Sequence, residues 1–101
     1  MFGDEVAEYI KKRAEVTKKI QSIFADIINE IKSSLSKIGS TIVVKSEIYS
    51  DSVSVVILDK NVIISVEDII RGIGKRIDYI TDEDIRAAIE GVIAAKIGMP
   101  Q

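Results

Sequence analysis

From Asp4 to Ile38 the chain runs thirty-five residues without a glycine or a proline, between Gly3 and Gly39. Gly3-Asp4 can open a helix and Gly39 can stop one. Placed at 100° per residue, Val6, Tyr9, Ile10, Ile20, Phe24, Ile27, Ile28, Ile31, Leu35 and Ile38 fall within about 60° of one line, the signature of an amphipathic helix. The stripe is dense from Ile20 onward and thin before it, where Arg13 and Thr17 sit at its centre. A helix of this length spans roughly 52 Å. A compact chain of this size has a radius of gyration near 13 Å, roughly a quarter of that length. Such a helix is too long for its own domain to cover. Its C-terminal half is expected on the core, and its N-terminal half is expected to project or to pair with another chain.

After Gly39 the period changes from helical to alternating. Thr41 to Tyr49 reads as a first strand with Ile42, Val44 and Ile48 on one face and Lys45 and Glu47 on the other. Ser50-Asp51-Ser52 supplies a turn. Val53 to Leu58 reads as a second strand, apolar on both faces by its end and therefore central. Asp59-Lys60-Asn61 reads as a second turn and Val62–Ile64 as a short third strand. Ser65, three residues before Asp68, approximates a capping box and opens a helix that turns Val66, Ile69, Ile70 and Ile73 inward. Gly72 and Gly74 weaken that helix, which is expected to fray near Lys75-Arg76. Ile77 to Ile80 is available as a fourth strand. Thr81 caps a stronger helix whose first turn carries Asp82, Glu83 and Asp84, with Ile85, Ile89, Val92, Ile93 and Ile97 as its buried stripe. Gly98 and Pro100 end it.

The reading is one α+β domain over residues 1–101: a long N-terminal helix (4–38) on an antiparallel meander (41–64), of three strands or four, followed by two helices (66–97). Ile28, Val56, Ile70 and Ile89 are expected to be buried at the centres of their elements.

Composition narrows the chemistry. There are twenty-one isoleucines and ten valines against two leucines, and no His, Cys or Trp. Without imidazole or thiolate the chain lacks the commonest base, a common nucleophile and the ordinary zinc and haem ligand sets. Carboxylates, Lys, Tyr and hydroxyls remain. Ser33, Ser34 and Ser36 lie near a helix C-terminus, where the dipole does not activate a nucleophile. The reading is non-enzymatic, with no cofactor, no metal and no small-molecule substrate.

Charge and β-branched content, with no Cys, fit a protein built for high temperature, and the small chain suggests a hyperthermophilic archaeon or one of its viruses or plasmids. The acidic opening Met1-Phe2-Gly3-Asp4-Glu5 does not resemble a secretory signal, no apolar run reaches membrane-spanning length, and a cytoplasmic location is expected. A net charge of -2 argues against a protein that coats nucleic acid.

Lys11, Lys12, Lys18 and Lys19 are the candidate nucleic-acid contacts. Glu8 and Glu15 lie at ion-pairing distance along the helix, and no aromatic residue is interleaved for stacking, so any binding is expected to be weak. Asp82-Glu83-Asp84 points in three directions and reads as helix capping before it reads as a cation site. Gly72-Ile73-Gly74-Lys75 lacks the spacing and the Ser/Thr of a phosphate-binding loop.

The order helix, three strands, helices resembles the core of archaeal Holliday-junction resolvases and the wider restriction-endonuclease-like nucleases, chiefly over Ser54 to Ile69. In that family an Asp begins one strand and a Glu-x-Lys pair follows late in the next. Here those positions carry Ser54, Glu67 and Ile69, so two of the three functional residues are absent. The resemblance implies at most a degenerate form of that fold.

The favoured reading is a homo-oligomer, dimer or larger, joined through Tyr9, Ile10, Arg13, Thr17, Ile20 and Phe24 of the long helix. The alternative is a nucleic-acid-binding protein that uses the Lys11–Lys19 face.

Overall fold

The computed structural model describes residues 1–100 and has the α+β architecture expected. Helix α1 (Phe2–Lys37) sets the longest dimension of a molecule measuring 57 × 25 × 20 Å. It ends in a Schellman motif. Gly39 takes φ 71°, its N–H donates to the Ser36 carbonyl, and the Ser40 N–H reaches back to the Leu35 carbonyl.

Strands β1 (Lys45–Ile48), β2 (Ser52–Ile57) and β3 (Lys60–Ser65) form an antiparallel meander with β2 in the centre. The first strand is shorter than expected: residues 41–44 run irregularly, and pairing begins at Lys45. The second turn is also displaced. Leu58 and Asp59, at φ 52° and 62°, form the connection, so β3 begins at Lys60. A two-residue turn with both residues left-handed usually announces itself through Asn-Gly or Asp-Gly, and this one lacks both.

One face of the sheet is covered. Val53, Val55 and Ile57 of β2 pair across with Ile64, Val62 and Lys60, and the five apolar side chains among them are buried. Val56 is not buried: strand alternation turns it to the uncovered face, where it is 38% exposed. β2 is the central strand, as expected, but the expectation that Val56 is buried fails because the apolar cluster forms on the other face of the sheet. Ile48 shares the inner face with Val44, yet only Val44 is buried.

Helix α2 (Val66–Ile73) follows β3 directly, with the Ser65 hydroxyl accepting from the Asp68 N–H. It stops at Gly74, which is left-handed at φ 70°, two residues earlier than expected. Val66 and Ile69 are buried, whereas Ile70 and Ile73 are only partly covered because the helix is two turns long and its end is open. Ile77–Tyr79 forms a single 3-10 turn and not a fourth strand. Helix α3 (Asp82–Ile97) carries a full capping box between Thr81 and Asp84 and ends in a Schellman motif at Gly98. Ile85, Ile89 and Ile93 are buried. Val92, at the edge of that stripe, stays 36% exposed.

A single apolar cluster joins these elements. It takes Val16, Ile20, Phe24, Ile27 and Ile28 from α1, the inner sheet face, Val66 and Ile69 from α2, Ile80, and the stripe of α3. Burying a Val, Ile or Phe side chain is worth about 1.5–3 kcal/mol each, which makes this cluster the dominant stabilising feature. Nothing N-terminal to Val16 belongs to it.

Candidate self-association surface

Because the core ends at Val16, residues 2–10 of α1 form a ledge in which every residue is exposed. Phe2, Val6, Tyr9 and Ile10 stand on it at positions i, i+4, i+7 and i+8, the spacing of one helical face. Phe2 is 79% exposed and Ile10 59%. This line continues the stripe that Val16, Ile20 and Phe24 bury further along. The ledge is therefore an apolar face that has outrun its cover.

Arg13 marks the boundary. It is half-buried, and its Nη2 donates to Glu67 Oε2 of α2 at 3.2 Å, while Glu67 also accepts from Arg71. The carboxylate that Arg13 needs on an apolar stripe therefore comes from its own chain. Thr17 is equally occupied, its hydroxyl donating to the Arg13 carbonyl at 2.8 Å. Ile20 and Phe24 are each 1% exposed inside the core and have no surface to offer a second copy. Of the six interface candidates, Tyr9 and Ile10 remain available, and Phe2 and Val6 join them. Sequence reasoning extended the stripe to Val6 but not to Phe2, although the i−4 step from Val6 was there to read.

The four lysines do not form one patch. Lys12 Nζ donates to Asp78 Oδ1 of the 3-10 turn and lies 3.9 Å from Glu8. Lys19 Nζ is 3.5 Å from Asp82 Oδ1 at the start of α3. The Asp78 carboxylate holds the Lys12 ammonium above its ordinary value, and the ammonium holds Asp78 below its own. Lys11 and Lys18 are exposed and make no ion pair among the described residues. Glu15 makes no ion pair with the cluster; Glu8 on the same helix and Asp78 and Asp82 from distant parts of the chain do. Between the ledge and the 3-10 turn lies an open groove of about 640 Å³, walled by Glu5, Glu8, Tyr9, Lys12, Arg76 and Asp78 among others.

At the opposite end, Ile31, Leu35, Ile38, Ile42, Leu58, Ile97 and Met99 border a second groove of about 540 Å³. Arg86 crosses its rim, donating to Glu30 Oε2 and paired with Glu90 at 3.3 Å. Those carboxylates hold the Arg86 guanidinium above its ordinary value.

Asp84 is committed to the cap of α3 and to Lys75 Nζ, 2.9 Å away. Among the described residues no three acidic side chains approach closely enough to hold a metal ion. Glu67 stands at the exposed start of a helix between two arginines, which is not the strand position of a nuclease carboxylate. No helix among the described residues is long and apolar enough to cross a membrane.

The chain matches no protein-family model, no curated protein and no solved structure.

Proposed function

We propose that this chain is a non-enzymatic interaction protein that self-associates through the projecting N-terminal ledge of α1. The observation that carries this is the continuation of the core stripe, as Phe2, Val6, Tyr9 and Ile10, past the end of the body that covers it. Exposed apolar side chains aligned on one helix face cost solvation unless another surface meets them. The ledge is also polar in the electrical sense. Asp4 and Glu5 lie toward its tip, and Lys11 lies toward the body. Two ledges packed antiparallel about a two-fold axis set acid beside base at both ends, whereas parallel packing sets like beside like.

Ion-pair groups support the expectation of heat adaptation. Glu8, Lys12, Asp78 and Arg76 form one, and Arg13, Glu67, Arg71 and Asp68 form another.

The test is the solution mass of the wild-type chain and of a Val6→Glu/Ile10→Glu variant, by light scattering coupled to size exclusion. The wild type should exceed the 11.1 kDa of one chain, and the variant should drop in mass while keeping its helical circular dichroism. Equal masses for the two proteins would overturn the ledge as an interface.

A further inference from the structure

We propose that strand β1 is a second self-association surface, pairing antiparallel with β1 of another copy about a two-fold axis at Ser46 to make one continuous six-stranded sheet. This surface is carried by a different observation from the ledge and does not rest on it.

β1 lies at the sheet edge, and all four of its residues are exposed. Its hydrogen-bonding phase is set by the Tyr49 N–H, which donates to the Ser52 carbonyl at 2.8 Å. Antiparallel pairs alternate between hydrogen-bonded and non-hydrogen-bonded, so Glu47/Ser54 and Lys45/Val56 bond inward to β2. Ser46 and Ile48 then turn their N–H and C=O groups to the open side. An unpaired strand edge of this kind is a template for another strand.

Two copies meeting there must oppose residues whose backbone groups both face outward, which restricts a two-fold axis to a few registers. Centring on Lys45 sets lysine against lysine. Centring on Glu47 sets glutamate against glutamate. Centring on Ser46 sets Lys45 of each copy directly opposite Glu47 of the other, twice, in the closer-set non-hydrogen-bonded pairs. Neither side chain has an ion-pair partner among the described residues of its own chain; Glu47 accepts only from the Tyr49 hydroxyl. Beyond the strand ends the same register brings two exposed apolar side chains, Val43 at 68% and Tyr49 of the second copy, toward each other. Charge and apolar surface are thus complementary in one register and clash in its neighbours. The far edge, β3, carries Lys60 as its only charge and has no such self-complementary pair.

A chain with two separate two-fold surfaces, ledge and strand edge, builds a closed tetramer when the axes intersect at right angles and an extended array when they do not.

The experiment uses the full-length Val6→Glu/Ile10→Glu chain, in which the ledge is disabled. At high micromolar concentration it should have twice the mass of a single chain. Adding Lys45→Glu, or Glu47→Lys, converts two attractions into two repulsions and should weaken the dimer by about tenfold or more. The double exchange Lys45→Glu/Glu47→Lys should restore it, and an equimolar mixture of the two single-exchange chains should associate more tightly than either chain does alone. These four side-chain positions in the pair are exposed, so circular dichroism should stay unchanged throughout. A ledge-disabled chain that is monomeric at high micromolar concentration would overturn the proposal while leaving the ledge reading intact. A dimer indifferent to both charge exchanges would overturn the register and the surface with it.

Discussion

Arg13 Nη2 and Glu67 Oε2 are 3.2 Å apart across fifty-four residues of sequence, and that contact is where α1 stops being part of the body. On the C-terminal side of Arg13 the helix buries its stripe from Val16 onward; on the other side the same stripe is exposed. A charged residue at the centre of an apolar stripe has to find a partner or reach water. Both partners here are half exposed, so the pair positions the helix more than it stabilises it. Its effect is to divide one helix into a core segment and a ledge.

Ile28→Ala and Ile89→Ala should each destabilise the fold by about 2–5 kcal/mol, the cost of a buried cavity. Both side chains are almost completely covered, at 2% and 0% exposure. Val56→Ala, on the uncovered sheet face, should cost less than about 1 kcal/mol, within the range of cross-strand pairing effects. Chemical denaturation checks the contrast. Equal losses at Val56 and Ile89 would mean that a further layer covers the outer face.

Leu58→Asn with Asp59→Gly should stabilise the protein by about 1 kcal/mol. Leu58 and Asp59 both hold positive φ in the β2–β3 turn, a conformation that costs an L-residue such as Leu roughly 1–2 kcal/mol and suits Asn-Gly. The melting temperature reads this directly. A drop in place of a rise would show that Leu58, which also borders the apolar groove, contributes more through contact than its backbone costs.

Stability should fall in acid as Asp84 and Asp78 take up protons. The Thr81 N–H and then Lys75 hold the Asp84 carboxyl below its ordinary value of 3.8, and Lys12 does the same for Asp78. A folded-state value below the unfolded one means stabilisation that is present above pH 3.8 and is lost as pH falls through the folded value. Removing the cap with Thr81→Ala should cost about 1 kcal/mol at neutral pH, whereas Asp84→Asn, which removes the titrating carboxyl itself, should flatten the acid limb of the stability curve. An acid limb identical in wild type and the Asp84→Asn variant would assign the loss to other carboxylates.

Much of this protein could be read locally. The long helix, the turn at Ser50-Asp51, both helix caps after the sheet and the stops at Gly39 and Gly98 follow from signals contained within a few residues: an unbroken helical period, a hydroxyl three positions before an acid, a glycine free to turn left-handed. The β2–β3 turn escaped because Leu58-Asp59 carries no such signal, and the strand that follows took its start from that turn. Periodicity identifies an apolar face but not what meets it. Val56 and Ile20 look equally apolar in sequence; only the placement of every helix on one side of the sheet leaves the first exposed and buries the second. The same limit applies to charge. Lys12 and Lys19 lie beside Lys11 and Lys18 in the chain, yet Asp78 and Asp82 answer only the first two, because partners more than sixty residues away are brought close by packing and not by spacing. Local backbone preference determined the elements; which faces are left uncovered depended on how those elements closed around a single core.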